Sequence, residues 1–146
     1  MKFISIFFFG LLVFIQTTSA QAPISTSTLT INVCNIKHRE GNIKAVLQNR
    51  SNFLTPQYSD IVELKPTGDN MQMVFKNLPV GEYSVAIYHD LNNNDNFDRN
   101  WIGYPSEPFA VSNNLHPWKL LLPSFDAAKI TLSQSGATVN ITLLNN

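Results

Sequence analysis

The chain has 146 residues, room for one domain, and its 10 Lys plus Arg balance 10 Asp plus Glu. That neutrality excludes the basic surface on which nucleic-acid binders depend. With 44% apolar and only 14% charged residues, a packed core is within reach and disorder is not expected.

The amino-terminal segment reads as a processing signal. Lys2 gives a positive start, residues 3–15 form an apolar run of 13, and polar Gln16, Thr17 and Thr18 precede the small pair Ser19 and Ala20. This is the pattern of a secretory signal peptide cleaved after Ala20. The run is shorter than the roughly 20 apolar residues that span a bilayer, so no transmembrane segment is expected after processing. No cysteine lies beside the cleavage site to carry a lipid. Loss of Lys2 leaves 9 basic against 10 acidic groups, a net charge of −1. The expected organisation is a leader over 1–20, a short lead over 21–26 and one domain over 27–146, located in the periplasm or secreted.

Cys34 is the sole cysteine, so no intramolecular disulfide can form. It lies in the alternating run 28–36 and is read as a small buried hydrophobe.

Alternation of period two then recurs along the chain. Leu29, Ile31 and Val33 make one apolar face. Ile43, Ala45 and Leu47, then Met71, Met73 and Phe75, then Tyr83, Val85 and Ile87 make three more. Ile130 and Leu132, and finally Val139, Ile141 and Leu143, close the series. Segments 61–65 and 109–112 are weaker strands. Turn chemistry separates them, at Glu40-Gly41-Asn42, residues 66–70, Pro79-Val80-Gly81 and Ser135-Gly136. The pattern predicts an all-β fold, a single antiparallel β-sandwich of about seven to eight strands, with one helical turn at most over 124–129.

Residues 90–123 carry few strand signals and many Asn, Pro and aromatic residues. Phe97, Trp101, Ile102, Tyr104 and Trp118 make this stretch too apolar for disorder, so one long packed loop is expected.

The run Asn77-Leu78-Pro79-Val80-Gly81-Glu82-Tyr83-Ser84-Val85-Ala86-Ile87-Tyr88-His89-Asp90 is followed by Asn92, Asn94 and Asp98. Gly103, Pro105, Glu107, Ser112-Asn113-Asn114, Pro123, Phe125 and Ala128 come next. This series resembles an exported bacterial family, domain of unknown function 2141, over most of the mature chain. The resemblance implies an exported sandwich, transthyretin-like or immunoglobulin-like, and no established activity. The family usually has glycine where this chain has Asp95.

One constellation carries a physical mechanism. Asp90, Asn92, Asn94 and Asp98 place side-chain oxygens at loop positions 1, 3, 5 and 9, the spacing of Asp-x-Asn-x-Asn calcium loops. The Asn96 carbonyl would take position 7, and Glu107 would add a carboxylate from further along. Position 12 is Trp101 where an EF-hand has glutamate, and position 6 is Asp95 where it has glycine. The rival reading is an Asn-rich turn whose side chains bond nearby backbone.

His38, His89 and His116 show no zinc-like spacing, and no Gly-x-Ser-x-Gly nucleophile elbow is present. His89 reads as a hydrogen-bonded histidine at the core edge. Trp101, Tyr104 and Trp118 either anchor the long loop, the commoner fate of aromatics, or form a platform for a sugar. The bacterial resemblance implies that the sequons at Asn49 and Asn140 are idle. The sequence thus predicts an exported, non-enzymatic sandwich whose Asp/Asn loop either takes calcium as its cofactor or is a structural turn. The alternative is a module binding carbohydrate or peptide through the aromatic loop.

Overall fold

The structure, a computed structural model, describes residues 25–116 and 122–145; the leader and Trp118 lie outside the described residues. Eight strands follow in order: β1 Thr26–Cys34, β2 Asn42–Gln48, β3 Asp60–Leu64, β4 Asn70–Pro79, β5 Gly81–Asp90, β6 Phe109–Val111, β7 Ile130–Leu132 and β8 Ala137–Thr142. A single-turn helix, α1 Phe125–Ala128, is capped by Ser124, whose side chain accepts from the Ala127 amide. No helix among the described residues is long and apolar enough to cross a membrane.

Two sheets form a β-sandwich. One has the order β4-β1-β8, and the other the order β3-β2-β5-β6, with β7 also pairing β5. All pairings are antiparallel but one, since β8 runs parallel to β1 from Leu29↔Ala137 to Cys34↔Thr142. The alternation read from the sequence sets the inner faces. Leu29, Ile31, Val33, Ile43, Ala45, Leu47, Met73, Val85 and Ile141 are fully buried, and Phe75 and Ile87 nearly so. Burial of this apolar surface drives the two sheets together.

Cys34 departs from the expectation. It has the parity of Thr30 and Asn32, so it points away from the core and is half-buried, with Sγ against the Asn32 carbonyl.

The outer face of the larger sheet positions the site. Asn42 pairs with Asp90 and Lys44 with Tyr88, whereas inward-pointing Ile43 pairs with His89. Lys44 and Gln48 occupy outward positions of β2 and are nevertheless buried, because loops close over them. Over Gln48 the carbonyls of Asn52, Thr55 and Gln57 converge on its amide nitrogen at 2.9–3.1 Å. Over Lys44 lies the loop 91–108. Phe97 anchors it, with its ring centroid 5.4 Å from Tyr88 and 5.7 Å from Phe109.

Candidate functional site

Strand β5 ends at Asp90, whose carboxylate is fully buried and organises the loop that follows. Oδ1 accepts from the Asn94 amide at 3.1 Å, and Oδ2 accepts from the Asp95 amide at 2.9 Å. Two further side chains repeat the device. Asn92 Oδ1 accepts from the Asn94 amide at 3.1 Å, and Asn94 Oδ1 from the Asn96 amide at 2.8 Å. Asn and Asp suit this role because their short side chains reach backbone two residues on and tolerate left-handed conformation. Asn93 and Asp95 indeed have φ of 54° and 63°. Asp95 therefore adopts a left-handed backbone, the conformation that favours glycine.

Gly41 makes the approach of the loop possible. Its φ is +71°, and a Cβ there would lie 2.0 Å from the Asp90 carbonyl oxygen. Only glycine fits so close to a backbone oxygen in that conformation.

Of the six residues read as calcium ligands, three converge. Asn92 and Asn94 both donate their side-chain amides to Asp98 Oδ2, at 2.8 and 2.9 Å. Asp90 and Glu107 are not at that point. Glu107 is buried and fastens the two ends of the loop, accepting from the Leu91 amide at 3.0 Å and the Asp98 amide at 3.1 Å. Asn96 turns its side chain back to the Asn94 carbonyl. Among the described residues, no three His, Cys, Asp or Glu side chains are grouped to hold a metal ion.

Sequence reasoning missed the cation of the site. Lys44 Nζ lies 3.1 Å from Asp90 Oδ2, donates to Asp95 Oδ1 and stands 3.9 Å from Glu63 Oε2. Burial favours the neutral amine, but the bonds to Asp95 and Asp90 outweigh it and push the pKa above the ordinary lysine value. Burial likewise pushes the Asp90 carboxyl up, yet Lys44 and the two loop amides hold it below the usual carboxylate range. The available signal was a lysine set among Ile43, Ala45, Val46 and Leu47. Such a cation needs a carboxylate if its strand is covered.

His89 faces the core and Asp90 the outer surface, as strand alternation requires. The His89 ring nitrogen Nε2 is 2.8 Å from the Glu40 carbonyl oxygen, as expected of a core-edge histidine. Its Nδ1 is buried without a hydrogen-bond partner.

The loop ends in a narrow hairpin. Arg99 bridges Pro105, the Asn100 amide donates to the Tyr104 carbonyl at 2.7 Å, and the Gly103 amide donates to the Asn100 carbonyl at 2.9 Å. Asn100 Oδ1 also accepts from the Ile102 and Tyr104 amides, at 3.1 and 3.0 Å. At the tip, Trp101 is 95% and Ile102 65% exposed, and Tyr104 is half-buried. Phe97 and not Trp101 is therefore the anchor, and the expectation that these aromatics pack inward fails at Trp101. The Asn100 side chain fixes a turn that leaves its two apolar residues in water.

Fold and site together define a β-sandwich with a surface loop tied by an internal Asp/Asn/Glu network over a buried lysine. The chain belongs to the bacterial family described as uncharacterized protein conserved in bacteria (DUF2141), which matches residues 31–140 and so takes in the whole loop. No curated protein and no solved structure matches the chain.

Proposed function

We propose that this protein is an exported, non-enzymatic β-sandwich module of the bacterial envelope or exterior that recognises a partner through the tip of its 91–108 loop. The observation that carries this reading is Trp101, 95% exposed on a turn whose backbone Asn100 holds fixed. An indole in water has no packing role in the monomer, and rigid aromatics are the side chains that dominate interface energies. The Asp/Asn network and Glu107 hold the loop that displays it. Export is supported by the leader over 1–20, and the exported protein should begin at Gln21 by mass spectrometry. Recognition is tested by incubating the protein and Trp101→Ala with washed bacterial envelope fractions. Binding lost in the variant supports the reading, and equal binding or none overturns it.

A second reading, calcium in the same loop, is favoured by the convergence of Asn92 and Asn94 on Asp98 Oδ2. Rotation of the two amides would exchange their nitrogens for oxygens and gather two carbonyls beside one carboxylate. Calcium accepts such oxygens. Asp90, Asn96 and Glu107, which the sequence adds to the set, bind backbone groups of the loop and would have to move to join it.

A further inference from the structure

We propose that the Arg99–Pro105 hairpin is a membrane-contact element that seats Trp101 and Ile102 in the interfacial layer of an anionic lipid bilayer. The inference rests on the recognition reading above and names its partner.

Shape comes first. A Cβ built at Gly103 meets nothing within 4 Å, so the tip projects into open solvent. A convex point cannot enclose a small ligand; it has to enter something, and a bilayer interface yields to a point.

Chemistry agrees. Tryptophan has an apolar body with a polar N–H and concentrates at the headgroup level of membranes, while isoleucine adds a purely aliphatic neighbour. Burying the pair removes exposed apolar surface at little ordering cost, because Asn100 already fixes the turn.

Charge at the base of the tip has the matching sign. Arg99 is exposed there, stacked with its guanidinium carbon 5.1 Å from the Phe97 ring centroid. Lys37 lines one open cleft together with Tyr104. The loop's carboxylates have partners within the protein: Asp98 accepts the Asn92 and Asn94 amides, Glu107 accepts the Leu91 and Asp98 amides, and Asp95 meets Lys44. Arg99 beside the apolar point and Lys37 near Tyr104 supply the cations that favour phosphate headgroups.

The experiment sediments the protein with vesicles of phosphatidylethanolamine and phosphatidylglycerol, and with vesicles of phosphatidylcholine alone. Brominated acyl chains serve as a fluorescence quencher. Binding and quenching are expected on the anionic vesicles, with affinity falling about tenfold or more in Trp101→Ala. Arg99→Gln should weaken binding to anionic vesicles and remove much of its salt dependence. Far-UV circular dichroism confirms that both variants, whose side chains are exposed, remain folded. No binding to either vesicle overturns the proposal, as does undiminished binding by folded Trp101→Ala. If Trp101-dependent binding to envelope fractions persists while pure vesicles bind nothing, a protein or glycan is the partner. The recognition reading then stands and this inference falls. Envelope binding that ignores Trp101 defeats both.

Discussion

Lys44 Nζ and Asp90 Oδ2 stand 3.1 Å apart with side chains only 4% and 1% exposed, so an ion pair is enclosed between sheet and loop. The two come from adjacent strands, and the loop that covers them starts at the residue after Asp90. Taking both charges from water is costly, and the pair is tolerable only because backbone amides and Asp95 complete its hydrogen bonds. Such a pair is expected to specify how the loop closes more than to add net stability.

Breaking the pair should hurt more than removing it. Asp90→Ala leaves Lys44 buried beside Asp95 and the more distant Glu63 and strips the Asp95 amide of its acceptor, and should cost about 3–5 kcal/mol in urea denaturation. Lys44→Met combined with Asp90→Asn removes both charges and keeps an acceptor for the loop. That double variant should be more stable than Asp90→Ala. A double variant as unstable as the single one would mean that the pair stabilises on balance.

Acid should weaken the fold in two steps, both of the same sign. Burial chiefly lowers the His89 pKa, with His38 adding to the effect and the Glu40 carbonyl and carboxylate opposing it. The folded state thus holds fewer protons on His89 than the unfolded chain, so stability is full above about pH 6.5 and declines as pH falls from there. Asp90, whose pKa is also depressed, contributes stability above its unfolded value near 3.9 and loses it as pH falls further. Urea midpoints between pH 5 and 8 should fall with acid in the wild type. In His89→Gln, which keeps a donor for the Glu40 carbonyl, they should stay flat over that range. Parallel curves would exclude His89 as the source.

Gly41→Ala should destabilise although it adds only a methyl group. Left-handed backbone alone costs alanine more than about 1 kcal/mol, and the Asp90 carbonyl oxygen 2.0 Å from the new Cβ forces strand ends apart. Thermal melting measures the loss. Gly103→Ala shares the positive φ but meets open space, and should lose distinctly less.

If the loop takes calcium, melting temperature rises with calcium, changes little with magnesium, and loses the rise in Asp98→Ala. Without a glutamate at position 12 the affinity belongs with extracellular modules, about 10⁻⁴–10⁻³ M. Saturation at about 100 times the dissociation constant adds roughly 2.7 kcal/mol. Identical melting in chelator, calcium and magnesium would leave Asp98 bound by its two amides only.

The sandwich was legible because its signal is local. Leu29, Ile31 and Val33, and their counterparts in β2, β5 and β8, show their inner face by parity alone, and even the weak segments at 61–65 and 109–112 became strands. What parity cannot show is a third layer. Lys44 and Gln48 read as solvent-facing, and only the return of distant loops buries them. The loop residues stand out in the sequence because Asp and Asn at alternate positions organise backbone whatever else they bind. Their division of labour was not legible, because it depends on where Glu107 and Lys44 arrive from elsewhere. Trp101 misled for a related reason: composition marks the loop as apolar, but only the turn fixed by Asn100 decides which aromatic faces in.

The parallel pairing of β8 with β1 has a consequence for the order of events in the life of the chain. β1 is the central strand of its sheet and comes first, whereas its partner at Ala137–Thr142 comes last. A chain emerging amino-terminus first, from a ribosome or from a translocation channel, leaves β1 with one open edge until nearly every residue has passed. Contacts of such long sequence separation form slowly. The topology thus delays completion of the smaller sheet until nearly the whole domain has emerged.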